Sequence, residues 1–172
     1  MRIILFTLLF SIVIKTNGQS LSIYKDSVNH FLIKIPNEWK YGQNKNYPSI
    51  KLIAYRTPSS MTDTSKDNFN LNILETLNSN LDETYSEFLK SIKNIENFKL
   101  LDFGDSVING EKFKWLIETH RYSSDNIQMH NYDFVTYQND KTYIITFTTF
   151  SNRFDIIKPT FITIANSFTL LK

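Results

Sequence analysis

The stretch NFNLNILETLNSNLDETYSEFLKSIKNI, residues 68–95, changes its hydrophobic period part-way along. In its first part Phe69, Leu71 and Ile73 alternate with Asn68, Asn70 and Asn72, the period of two that sends apolar side chains to one face of a strand. In its second part Leu81, Tyr85, Phe88, Leu89 and Ile92 recur at the spacing of a helix with one buried stripe. Asn80 or Asp82 is placed to cap that helix, and Glu83 stands in its first turn, where a negative charge is favourable. The reading is a strand over 68–77 followed by an amphipathic helix over 81–95. The asparagine stripe is either the wet face of a half-covered sheet or a set of amides for a sugar or a peptide edge.

Upstream, Phe31, Ile33 and Ile35 alternate until Pro36, and Trp39 follows in a turn as a large anchor. A second strand covers Ile50 to Arg56. The polar segment from Thr57 to Asp67 has the composition of a mobile loop, flanked by strands that would pair without it. Downstream the pattern is a meander. Phe98 to Ile108 is extended, Asn109-Gly110 is the strongest hairpin signal in the chain, and Phe113, Trp115 and Ile117 then alternate. A turn at Ser123-Ser124-Asp125 leads to a strand over 126–137, and Tyr143 to Phe150 has the Thr, Ile and aromatic content of a central antiparallel strand. Ser151 caps a short helical turn, and Pro159 is placed at the start of a last helix that buries Phe161, Ile164, Ala165 and Phe168. Strands, helix, four strands, helix predict an α+β fold: a single antiparallel twisted sheet flanked by helices.

Residues 1–18 have a different character. Arg2 precedes an apolar run from Ile3 to Ile14, and Lys15-Thr16-Asn17-Gly18 leads into polar sequence. That order predicts a signal peptide over 1–18 and a single globular domain over 19–172. The run is too short for a permanent membrane span, which takes roughly 20 residues. The expected location is soluble and exported, periplasmic or extracellular. Without the leader's Arg2 and Lys15 the basic and acidic residues balance. A neutral domain has no electrostatic pull toward nucleic acid or anionic lipid. With no cysteine, the domain must be held by packing, and here Phe and Tyr dominate.

Most site chemistries are excluded or unsupported. The four glycines stand at 18, 42, 104 and 110, so no glycine-rich phosphate loop exists. Thiol nucleophiles and thiolate metal sites are excluded outright. His120 and His130 fall on consecutive strands without facing each other, and a shared metal would need a third ligand such as Asp133 or Glu118. The expectation is no enzyme and no cofactor. Trp39, Tyr41, Trp115 and Tyr132 are either recognition aromatics or core, Trp115 being the surest core residue among them.

The chain also resembles a known family. Phe31-x-Ile33-x-Ile35-Pro36-x-x-Trp39 looks like the opening of the PsbP-like domains, and Leu81-Asp82-Glu83-x-Tyr85-x-x-x-Leu89 is similar to their helix. The resemblance continues through Ile108-Asn109-Gly110 and its Trp-bearing strand, then Tyr143-x-Ile145-x-Phe147. It ends in Phe154-Asp155-x-x-Lys158-Pro159-x-Phe161 and Asn166-Ser167-Phe168. It implies an α/β/α sandwich, in a family that includes the extrinsic subunits of the photosynthetic water-oxidising complex, a Ran-binding nuclear transport factor and many exported bacterial proteins. Their shared theme is docking to larger proteins without chemistry of their own. The expected function is therefore a non-catalytic accessory domain that binds a protein partner in the cell envelope. The alternative is a carrier of a small apolar molecule or lipid, with a Tyr- and Phe-lined pocket between the sheet and the 81–95 helix. Tyr41, Tyr55 and Arg56, beside the 57–67 loop, are the expected contact residues.

Overall fold

The structure is a computed structural model and describes residues 20–78, 80–122 and 127–171. The leader over 1–18 and the Ser123-Ser124-Asp125 turn lie outside the described residues. Among the described residues ten strands and two α-helices follow in the order β1 (Leu21–Asp26), β2 (Phe31–Pro36), β3 (Trp39–Gly42), β4 (Ile50–Arg56), β5 (Asn68–Glu75), α1 (Leu81–Ile92), β6 (Lys99–Ile108), β7 (Glu111–Tyr122), β8 (Ile127–Gln138), β9 (Lys141–Phe150), α2 (Phe154–Ala165) and β10 (Thr169–Leu170). The fold is α+β, as the periodicity predicts.

The expected single sheet is two sheets. Seven antiparallel strands run in the order β3-β4-β5-β9-β8-β7-β6, with β9 at the centre. A smaller sheet, β1-β2-β10, stands apart from it. The alternation of Phe31, Ile33 and Ile35 is realised, but β2 pairs with β1 and with the two residues of β10.

One face of the large sheet carries Leu52, Ala54, Phe69, Leu71, Phe113, Ile117, Phe134, Ile145 and Phe147 into the core. The small sheet and α2 close that side with Phe31, Ile33, Phe161, Ile164 and Phe168. Ring contacts run through it, Phe69 to Phe147 at 5.4 Å and Phe147 to Phe161 at 4.9 Å between centroids. The opposite face, which holds Asn68, Asn70 and Asn72, is covered over β7 and β8 by α1. The layers are thus helix, sheet, helix.

Local chemistry accounts for the element ends. Asn80 accepts a hydrogen bond from the Glu83 N–H at 2.9 Å and starts α1 where the sequence predicts. The helix stops at Ile92, three residues short of the expectation; Ile95 N–H turns back to the Ile92 carbonyl and Asn97 is left-handed at φ 54°. Asn109 and Gly110, at φ 50° and 91°, make the tight turn between β6 and β7. Pro159 does not begin α2 but lies inside it. Pro159 cannot donate to the Asp155 carbonyl one turn back, and Asp155 lies on the exposed side of the helix. Phe154, Ile157, Phe161 and Ile164 supply the buried stripe that holds the helix through the proline. Trp39 is the deeply buried tryptophan, whereas Trp115 is only partly buried and lies across Gly104, where an added Cβ would come within 2.7 Å of its ring.

Candidate functional site

Tyr41, Tyr55 and Arg56 are neighbours in the sheet but do not form one surface. Tyr41 pairs with Ala54 on the core side and meets the Tyr24 ring at 5.6 Å, while Tyr55 pairs with Lys40 and Asn68 on the other face. Both rings are exposed. Arg56 is committed to its own loop. Its Nε donates to Asp67 Oδ2 at 2.8 Å, and a terminal nitrogen donates to Asp63 at 2.8 Å and also to Ser65. Asp67, 1% exposed, further accepts from Thr149 at 2.6 Å and from Arg153 at 2.8 Å. Burial pushes the Asp67 carboxyl up, but Arg153, Thr149 and Arg56 together hold it below its ordinary value. Asp63 is held lower still, chiefly by Arg56 and then by the Ser59 N–H. The 57–67 segment, expected as a mobile loop, is therefore pinned by two carboxylates at its centre and its end.

The outer strand β6 presents a different surface. It is one edge of the large sheet, and Phe103 and Val107 stand 65% and 68% exposed on the face that α1 also occupies. Leu101, at the strand's bulge, is exposed beside them. Between β6 and the start of α1 runs an open groove of about 660 Å³, lined by Leu81, Asp82, Asp105, Val107 and Lys114. Lys114 Nζ bridges its two walls, donating to Asp82 at 2.9 Å and to Asp105 at 3.1 Å. Among the described residues Phe113 is the one aromatic lining it, so this space differs from the Tyr- and Phe-lined pocket expected for a carrier.

A polar row crosses the same face at the other end of the strands. Tyr55, Asn68, Thr148, Asn131 and Glu118 are successive cross-strand partners on β4, β5, β9, β8 and β7. Thr148 donates to Asn131 Oδ1 at 2.8 Å. Glu118, 1% exposed, receives the His120 Nδ1–H at 3.0 Å, and this contact raises the imidazole's pKa against the opposing effect of burial. Asp133, also buried, accepts from Thr146 at 2.6 Å, and desolvation pushes its carboxyl up to about 7. His120, Asn131, Thr148 and Asn68 line a groove of about 340 Å³ with Lys66 at its rim and Ile127, Met129 and Phe150 as apolar walls.

The two histidines of adjacent strands point to opposite faces. His120 pairs with Met129 and His130 with Thr119, and the His130 ring stacks on Phe154 at 4.3 Å on the core side. They cannot share a metal, and no cluster of three metal-ligating side chains occurs among the described residues.

The sequence profile described as PsbP matches residues 19–170, the whole of this layered architecture. The chain belongs to the PsbP family. No curated protein matches it in sequence. PsbP-like solved structures share its fold: the cyanobacterial PsbP of Synechocystis is 19% identical with TM-score 0.66, covering 91% of this chain and 95% of that one. LpqN of Mycobacterium tuberculosis, described as involved in cell envelope biogenesis, is 12% identical with TM-score 0.58, covering 92% of this chain and 88% of its own. The Saccharomyces cerevisiae Ran-binding protein Mog1p is 8% identical with TM-score 0.56, covering 90% of this chain and 97% of its own. At these identities the PsbP likeness is one of fold. Among the described residues of this PsbP-family chain, no helix is long and apolar enough to cross a membrane.

Sequence reasoning named His120, Glu118 and Asp133 only as ingredients of a shared metal, and missed the groove. The Glu118-x-His120 spacing, which puts both side chains on one face of a strand, was the available signal. The exposure of Phe103 and Val107 had no signal, because alternating apolar residues look alike in a core strand and at an edge.

Proposed function

We propose that this chain is an exported, non-catalytic accessory domain that docks to another protein in the cell envelope through the free edge of β6. One observation carries the docking surface: Phe103 and Val107 lie exposed on the outermost strand of the large sheet. An edge strand offers a row of unpaired N–H and C=O groups, and a partner strand that joins it gains main-chain hydrogen bonds and apolar contact together. Large apolar side chains clustered on such an edge are uncommon without a use. Asp102, Asp105 and the bulge between Leu100 and Asp102 restrict which strands fit, since they guard the edge against indiscriminate pairing. Export is supported by the leader pattern over 1–18 and the envelope by the description of LpqN; Mog1p is a relative described by its protein partner.

The test is a photo-crosslinking side chain at position 103 in the full chain, expressed in its own cell type. One cross-linked envelope protein is expected, absent when the probe sits at exposed Ile156 on α2 and lost in Val107→Glu. Identical cross-links from both positions, or none from position 103, would sink the docking surface. Mass analysis of the same material reads the leader: a chain beginning at Gln19 is expected, and an intact Met1 start would remove the export argument.

A further inference from the structure

We propose that the groove between Lys66 and His120 is a binding site for a small carboxylate that carries an N–H or hydroxyl donor and an apolar substituent. The argument begins with Glu118. Its carboxylate is 1% exposed, and both of its oxygens lie against His120 Nδ1, at 3.0 and 3.1 Å. A carboxylate this deep needs a charged or strongly polar partner, and among the described residues the imidazole is the one it has. The contact fixes the ring and commits Nδ1 inward, while Nε2 makes no hydrogen bond among the described residues. With Nδ1–H committed to Glu118, Nε2 donates into the groove when the ring is an imidazolium, the form that the adjoining Glu118 carboxylate favours.

The neighbouring amides are oriented in the same way. Asn131 Oδ1 is taken by Thr148, which leaves its NH2 group to donate. Asn68 spends its NH2 on the Lys66 carbonyl at 2.8 Å, which leaves Oδ1 to accept. Lys66, exposed at the rim, adds an ammonium. The groove therefore offers the donors of Lys66, Asn131 and, as an imidazolium, His120, with one acceptor, beside the apolar side chains of Ile127, Met129 and Phe150. A carboxylate satisfies the donors, an adjacent N–H or O–H satisfies Asn68, and an apolar group covers the remaining wall. A cation is disfavoured by the Lys66 ammonium. Among the described residues no arginine lines the groove, which makes a phosphate dianion the weaker fit.

The probe is N-acetyl-L-leucine, with N-acetyl-L-leucinamide as its uncharged counterpart, each titrated into the full chain and followed by NMR shifts and calorimetry. The acid is expected to saturate, with the leucinamide bound at least about tenfold more weakly. Lys66→Glu, at an exposed position that leaves the fold intact, and His120→Gln are each expected to weaken the acid by roughly tenfold. Failure of the acid to saturate, equal binding of acid and amide, or undiminished binding by Lys66→Glu would each overturn the proposal. The groove shares no residue with the β6 edge, so its failure leaves the docking reading standing, and the reverse also holds.

Discussion

Arg56 Nε donates to Asp67 Oδ2 at 2.8 Å, and this contact closes the 57–67 loop onto the strands it separates. Because Arg153, just before α2, binds the same carboxylate oxygen at 2.8 Å, one buried acid ties together β4, the loop, and the start of the last helix. Asp67→Ala would leave Arg153 without its counter-charge and Arg56 with Asp63 alone. Both are partly exposed, so water recovers some of the loss, and an expected cost of about 2–4 kcal/mol follows. Urea denaturation checks it, together with limited proteolysis, which should newly cleave between Thr57 and Lys66. An unchanged midpoint would mean that the network is ornamental to stability.

Asp133 governs stability between mildly acid and neutral pH. Its folded carboxyl is raised by burial to about 7, against about 3.9 in an unfolded chain. The folded state therefore keeps a proton that the unfolded state releases, and stability falls as pH rises through that window, by up to about 1.4 kcal/mol per unit. His120 acts in the same direction at higher pH: its raised pKa gives a stabilisation that is complete below the ordinary imidazole value and is lost as pH rises through the folded value. Asp133→Asn, which keeps an acceptor for Thr146, should flatten the slope between about pH 4 and 7. Unfolding free energies at several pH values in that range decide it.

Asp63 and Asp67 act on the acid side. Both carboxyls are held below their ordinary values, so their stabilisation is present above the unfolded carboxylate range and disappears as pH falls through the depressed values. Acidification should release the 57–67 loop before it unfolds the sheet. Amide hydrogen exchange at low pH, compared between that segment and β9, would show this order or refute it.

Gly104 is the contact point for Trp115. A Cβ there would fall 2.7 Å from the indole, at a backbone φ that is otherwise ordinary, so Gly104→Ala must displace the ring rather than strain the chain. The expected cost is about 1–3 kcal/mol, with a changed tryptophan emission. A neutral effect on both would show that Trp115 already moves freely.

Asn109 has two roles that can be separated. Its backbone makes the turn at φ 50°, and its amide donates to the Phe168 carbonyl at 2.7 Å and the Asn166 carbonyl at 3.1 Å, linking the β6–β7 hairpin to the end of α2. Asn109→Gly retains the turn and removes the link, with an expected loss of about 1–2 kcal/mol in thermal or urea unfolding. A variant as stable as the parent would assign Asn109 to the turn alone.

Elements with local signals were legible in the chain before folding. The change of period within 68–95 located β5 and α1, Asn109-Gly110 located the β6–β7 hairpin, and the composition of 143–150 identified the central strand. That β2 leaves the large sheet for a second one emerged from long-range packing, since its partner β10 is two residues long and carries no pattern. Likewise, only tertiary packing carried α2 through Pro159, because burial of its apolar stripe outweighs one lost hydrogen bond. The same holds for the surfaces. Arg56 looked free until Asp63 and Asp67 were folded against it, and Glu118, His120, Asn131 and Asn68 became neighbours only when four strands were set in register. Periodicity records which side of an element faces the core. Which residues then meet across that surface depends on strand order and register, and those are fixed by contacts between residues far apart in the chain.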